Sequence, residues 1–137
     1  MSKFDHMQMI SKAHGETNDC VVIAVALAAD VSYTHALRVL EAHGRRPRKG
    51  IRFHNVYPFV MHELGCKCER DYGLYDWIVK AKGSRFTGKT APVWLPPKGV
   101  FILQFRNHLA AFVHGELMDW TAKRKHPVIG IYQVTRM

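Results

Sequence analysis

CVVIAVALAAD, residues 20–30, is apolar at every position except the last. Periodicity alone does not separate a buried strand from a buried helix when every position is apolar. The unbroken length and the repeated alanines favour helix, and Asn18 and Asp19 supply oxygen acceptors of the kind that cap a helix start. A helix that is apolar all round has no face to offer water. The stretch therefore predicts a central helix wrapped by the remainder of the domain.

Downstream, Ser32 can cap a second helix, YTHALRVLEAHG, with Ala36, Leu37, Val39 and Leu40 on one face and Gly44 at the expected stop. RRPRKGIR (45–52) reads as a basic loop. A third helix is expected from about Phe53 to Leu64, closed by Gly65, with Pro58 imposing a kink or a later start. Cys66 to Glu69 reads as a short strand, and 70–99 as a short helix around Leu74 to Lys80 followed by loop. Upstream, residues 1–19 are polar and mixed and read as a loop feeding the central helix.

The last third changes character. GVFILQF, HLAAFVH, ELMDW and VIGIYQV are short apolar or alternating runs separated by turn residues, which is the pattern of strands. HLAAFVHGELMDW reads as a hairpin closed around His114-Gly115. Helices first and strands afterwards give an α+β class, with the N-terminal helix packed on a C-terminal antiparallel sheet.

The 137 residues fit one domain, 1–137, large enough for a core without disulfide or metal support. Hydrophobic residues at 47% exclude disorder as a description of the whole. No stretch approaches the roughly 20 apolar residues of a membrane span, so no membrane partner is expected. The N-terminal stretch lacks the apolar run of a secretory leader, and three cysteines cannot all pair within the chain. Free thiols and a cytoplasmic setting are the expectation. A net charge of +9 attracts polyanions or acidic proteins, and Arg45, Arg46, Arg48 and Lys49 are the candidates to contact them.

A cysteine is a nucleophile as thiolate, and a helix start favours that form. Cys20 stands at such a start, although a free cysteine on an apolar helix can also be no more than packing. His108 opens one strand and Asp119 closes the next, so the two meet across the open end of the hairpin. There the carboxylate can fix the imidazole, and Leu109 to Val113 and Trp120 can keep the bond dry.

NDCVVIAVALA and NHLAAFVHGELMDW resemble the Asp-Cys helix start and the His-strand-Gly-strand-Asp hairpin of small papain-like cysteine peptidases. These include bacteriocin-processing and cell-wall endopeptidase domains of bacteria and phages. The resemblance covers two short stretches. It implies a papain-like fold in which Cys20 is the nucleophile, His108 the base and Asp119 the orienting carboxylate. It further implies hydrolysis of a peptide or protein amide with no cofactor. The glutamine that many such enzymes carry a few residues before the cysteine is absent: position 14 is His. The oxyanion donor is then Asn18, His14, Gln8 or only the Cys20 backbone N–H. The alternative is a weak or inactive papain-like fold that binds a host protein or nucleic acid through its basic loop.

Two other patterns carry less. Cys66-Lys67-Cys68 lacks the second pair of a structural zinc site and reads as two side chains packed on one strand face, so no metal is expected. GSRFTGKT (83–90) fits the phosphate-loop pattern, which needs a strand before it and a helix after it. The three prolines of APVWLPPKG forbid that helix.

Overall fold

The computed structural model describes residues 2–13, 15 and 19–137. The chain forms helices α1 (Lys3–Ala13), α2 (Cys20–Ala29), α3 (Tyr33–Ala42), α4 (Phe53–Glu63), α5 (Tyr72–Lys82) and α6 (Ala91–Trp94). The strands are β1 (Cys66–Arg70), β2 (Val100–Phe105), β3 (His108–Val113), β4 (Glu116–Met118) and β5 (Gly130–Arg136). They make one antiparallel sheet in the order β1-β5-β2-β3-β4. The class is α+β.

The sheet is covered on both faces. Ile102, Leu109, Ala111 and Val134 face α2 and its helical neighbours, while Leu103, Phe105, Phe112 and Ile131 pack with Ile78, Phe86 and Leu95 on the other side. Val21 to Ala29 of α2 are all buried. Each fully buried Val or Leu there contributes about 1.5–3 kcal/mol, so the helix is a principal source of core stability. Its C-terminal end is closed by Asp30, in the left-handed region at φ 57°, and by the last strand. Arg136 donates from Nε to the Ala28 carbonyl at 2.9 Å and from Nη2 to the Leu27 carbonyl at 3.2 Å. A cation on those carbonyls also answers the negative end of the helix dipole.

The N-terminal end differs from expectation. Asp19 precedes α2 but makes no capping bond. Its carboxylate instead accepts from Tyr33 Oη at 2.8 Å and from Ser11 Oγ, tying α1 and α3 to the base of α2. Asn18 lies outside the described residues.

Residues 3–13, expected as loop, are helix α1. Ser2 and Asp5 cap it reciprocally: Asp5 N–H donates to Ser2 Oγ at 3.1 Å, and Ser2 Oγ donates to Asp5 Oδ2 at 2.8 Å. Met7 and Ser11, one turn apart, are its buried face. α5 runs further than Leu74 to Lys80, with Asp71 capping it through Leu74 N–H at 2.9 Å. A single helical turn, α6, forms despite the prolines. Pro92 sits in the first turn, where a missing N–H costs nothing, and the turn ends before Pro96.

GSRFTGKT is preceded by helix α5, not by a strand, so the phosphate-loop context is absent. Its Gly88 has a packing role. A Cβ there would overlap the Thr121 carbonyl oxygen and come within 3.1 Å of the carbonyl carbon. Cys66 and Cys68 are buried and Lys67 between them is exposed, as strand alternation requires. Burial pushes both thiols up, Cys68 to about 12. Among the described residues no single helix is long and apolar enough to cross a membrane.

Candidate active site

Two unrelated elements bring the site together. α2 delivers Cys20 at its first residue, and β3 delivers His108 at its own first residue. The β2–β3 turn that aims His108 places Asn107 at φ 57°, a conformation Asn tolerates better than most side chains. His114 and Gly115 both take positive φ in the β3–β4 turn, the backbone of a tight two-residue hairpin. The ladder pairs Ala111 with Met118 and Val113 with Glu116. Continued by one step it sets Asp119 opposite Ala110, diagonal to His108, within reach for side chains of this length.

His108 Nε2 and Asp119 Oδ2 are 2.8 Å apart, with 15% and 5% of the two side chains exposed. Asp119 Oδ2 also accepts from Thr121 N–H at 3.1 Å and from Thr121 Oγ1 at 2.6 Å. Thr121 is itself buried. The carboxylate is thus held by three donors and cannot swing away without leaving them unsatisfied. Nothing in the sequence pattern marked Thr121. The only signal was an Asp two residues before a Thr, the spacing at which an Asp side chain turns back onto the chain.

Burial opposes a charge on His108, but it is outweighed by the hydrogen bond to Asp119, the hydrogen bond to Cys20 and the charges of both partners. The imidazole is raised from 6.5 to about 9 and stays protonated through neutral pH. With Nε2 on Asp119, Nδ1 is the nitrogen left for the Cys20 thiol. The Trp120 ring lies 5.0 Å from the His108 ring, centroid to centroid, and Phe105 lies 6.0 Å away on another side. Half-exposed Trp120 shields the pair while leaving the thiol side open.

Cys20 and His108 stand where two cavities meet. The smaller, about 260 Å³, is bounded by Phe4 and Gln8 of α1, Asn107, Asp119 and Trp120. The larger, about 600 Å³, runs along residues 50–54, Gln104 and Tyr132. A carbonyl set against the thiol would have chain on both sides. Of the oxyanion candidates, Gln8 borders the smaller cavity with Cys20; His14 and Asn18 lie outside the described residues.

The basic candidates separate. Arg46, Arg48 and Lys49 are exposed, but Arg45 is only 3% exposed and is not a surface contact for a polyanion. The reason is the end of α3. Gly44, at φ 108°, donates to Glu41 at 3.1 Å and Arg45 N–H to Leu40 at 3.0 Å. That closure turns the residue after the glycine back onto the helix. Among the described residues no three His, Cys, Asp or Glu side chains gather as a metal site.

Compared with known proteins, the chain matches no protein-family model, no curated protein and no solved structure.

Proposed function

We propose that the protein is a papain-like cysteine hydrolase of amide bonds. The observation that carries the reading is the buried Asp119–His108 bond, whose imidazole shares both cavities with Cys20 at a helix start. Cys20 sulfur, as thiolate, attacks the amide carbonyl carbon, and the C=O electrons move onto oxygen. The Cys20 backbone N–H and the Gln8 side chain receive that oxyanion. His108 gives its Nδ1 proton to the leaving nitrogen as the C–N bond breaks, which leaves a thioester on Cys20. Water then adds to the thioester, His108 accepts its proton, and the acid departs as the thiolate reforms. Asp119, with Thr121 behind it, keeps the ring oriented throughout.

The test is the rate of Cys20 alkylation by iodoacetamide against pH, compared with Cys66 and Cys68. Cys20 should react well ahead of the other two at neutral pH. His108→Ala should slow it by about tenfold or more, as loss of roughly 1.4 kcal/mol of pairing requires. Coincident profiles in wild type and His108→Ala would leave Cys20 as a packing residue and remove the hydrolase reading.

A further inference from the structure

The larger cavity beside Cys20 is built for negative charge. Its lining includes Ile51, Arg52, Phe53, His54, Gln104 and Tyr132, and among the described residues no Asp or Glu. Arg52 is exposed and occupies the position before α4, where its side chain makes no capping bond. A cation there opposes the positive end of the helix dipole, at a cost of about 0.3–1 kcal/mol, so stability does not explain it. Arg46 and Lys49, on the same loop, are exposed and add to the positive charge of this segment.

Gln104 and Tyr132, also on the lining, are held by a further cation. Arg70 donates from Nη1 to Gln104 Oε1 at 3.0 Å and to Tyr132 Oη at 3.3 Å. A guanidinium only donates, so it draws on an acceptor lone pair of each partner. Gln104 and Tyr132 keep an amide N–H₂ and a phenol O–H as donors, beside the lone pairs that Arg70 does not use. Gly130 makes room for this arrangement: a Cβ there would stand 2.7 Å from both Arg70 Nη2 and Gln104 Oε1. The partners of the guanidinium are Gln104, Tyr132 and the ring of Tyr72, all neutral, so no carboxylate among the described residues cancels its charge.

We infer that this groove selects peptides carrying an acidic side chain next to the scissile amide, held by Arg52, Gln104 and Tyr132. The inference rests on the hydrolase reading of Cys20 and names the substrate class of that site. A carboxylate is an acceptor-only anion, and this groove offers it the Arg52 cation together with the donors of Gln104 and Tyr132. A neutral isostere would leave those donors unpaired.

The experiment uses the full chain and matched peptidyl chloromethyl ketones that differ only by Glu or Gln beside the reactive group. A second pair moves the substitution one residue further away. The second-order rates of Cys20 labelling are compared at low and high salt. One Glu reagent should label at least about tenfold faster than its Gln partner at low salt, a difference of about 1.4 kcal/mol. The ratio should fall towards one at high salt and in Arg52→Gln. Tyr132→Phe, which keeps the ring, should lower it as well. Ratios near one in wild type, with every reagent labelling Cys20 far faster than glutathione, would overturn the acidic preference and leave the reactive pair standing. Labelling no faster than glutathione by any reagent would overturn both. Protection of Cys20 by single-stranded DNA, and not by a Glu-rich peptide, would assign the groove to nucleic acid and overturn the peptide assignment.

Discussion

Replacing Asp119 by Asn isolates the carboxylate's contribution without changing the shape of the site. Burial, the largest influence on His108, disfavours its charge, and the Asp119 hydrogen bond is the first of the influences that reverse this. The rise from 6.5 to about 9 corresponds to about 3 kcal/mol in favour of the imidazolium. Because the folded chain holds this proton more tightly than the unfolded one, the stabilisation is complete below about pH 6.5. It is lost as pH rises through about 9. The cleanest comparison is made in a Cys20→Ser background, where thiol ionisation does not overlap. There, His108 should still titrate above 6.5, and adding Asp119→Asn should bring it below 6.5, because burial is then unopposed by a neighbouring charge.

Two measurements follow the proton: the His108 ring signals in an NMR titration, and urea unfolding between pH 6 and 10. The variant that keeps Asp119 should lose up to about 3 kcal/mol more than Asp119→Asn across that range. Every other group that titrates in that range is common to both proteins and cancels. His108 titrating at the same pH with and without the carboxylate, or equal pH slopes of stability, would refute the coupling of the pair.

Two further outcomes test the frame around the site. Gly88→Ala should drive a Cβ into the Thr121 backbone, costing about 1–3 kcal/mol in denaturant unfolding and slowing Cys20 alkylation through displacement of Asp119. Unchanged alkylation would mean that the 120–123 segment does not position the carboxylate. Arg136→Met should cost about 1.5–3 kcal/mol of stability, because two charge-assisted bonds to the Leu27 and Ala28 carbonyls disappear. Its effect should appear in unfolding curves and leave the pH profile of His108 alone, since the contact lies at the far end of α2.

The parts of this fold that were legible in the sequence are those where one local rule acts alone. The all-apolar run had to be buried whatever surrounded it, and from Val21 to Ala29 it is. Ser32 caps α3 through His35 N–H at 3.1 Å, and His114-Gly115 closes the hairpin as read. α1 was missed because its buried face is thin, Met7 and Ser11 with help from Phe4 and Ile10, and a polar residue sits on that face. The Ser2–Asp5 capping pair was the available signal. Arg45 was misplaced because charge was read without the helix-end geometry that turns it inward. Asp19 was read as a cap because the local rule is strong. It was overridden by Ser11 and Tyr33, partners distant in the chain that no local pattern reveals.

Each member of the triad has an ordinary explanation when taken singly: a packing cysteine, a strand-end histidine, a turn aspartate. A buried His–Asp pair can also stand for structural reasons, since a histidine raised to about 9 repays part of its own burial. Such a pair has no need of a thiol. Here His108 lines the same two open cavities as Cys20, the one cysteine among three that is not fully buried. Cys66 and Cys68, which do pack as hydrophobes, have their thiols pushed up by burial. The chain thus contains its own control: two cysteines in the environment that packing predicts, and one in an environment that packing does not require.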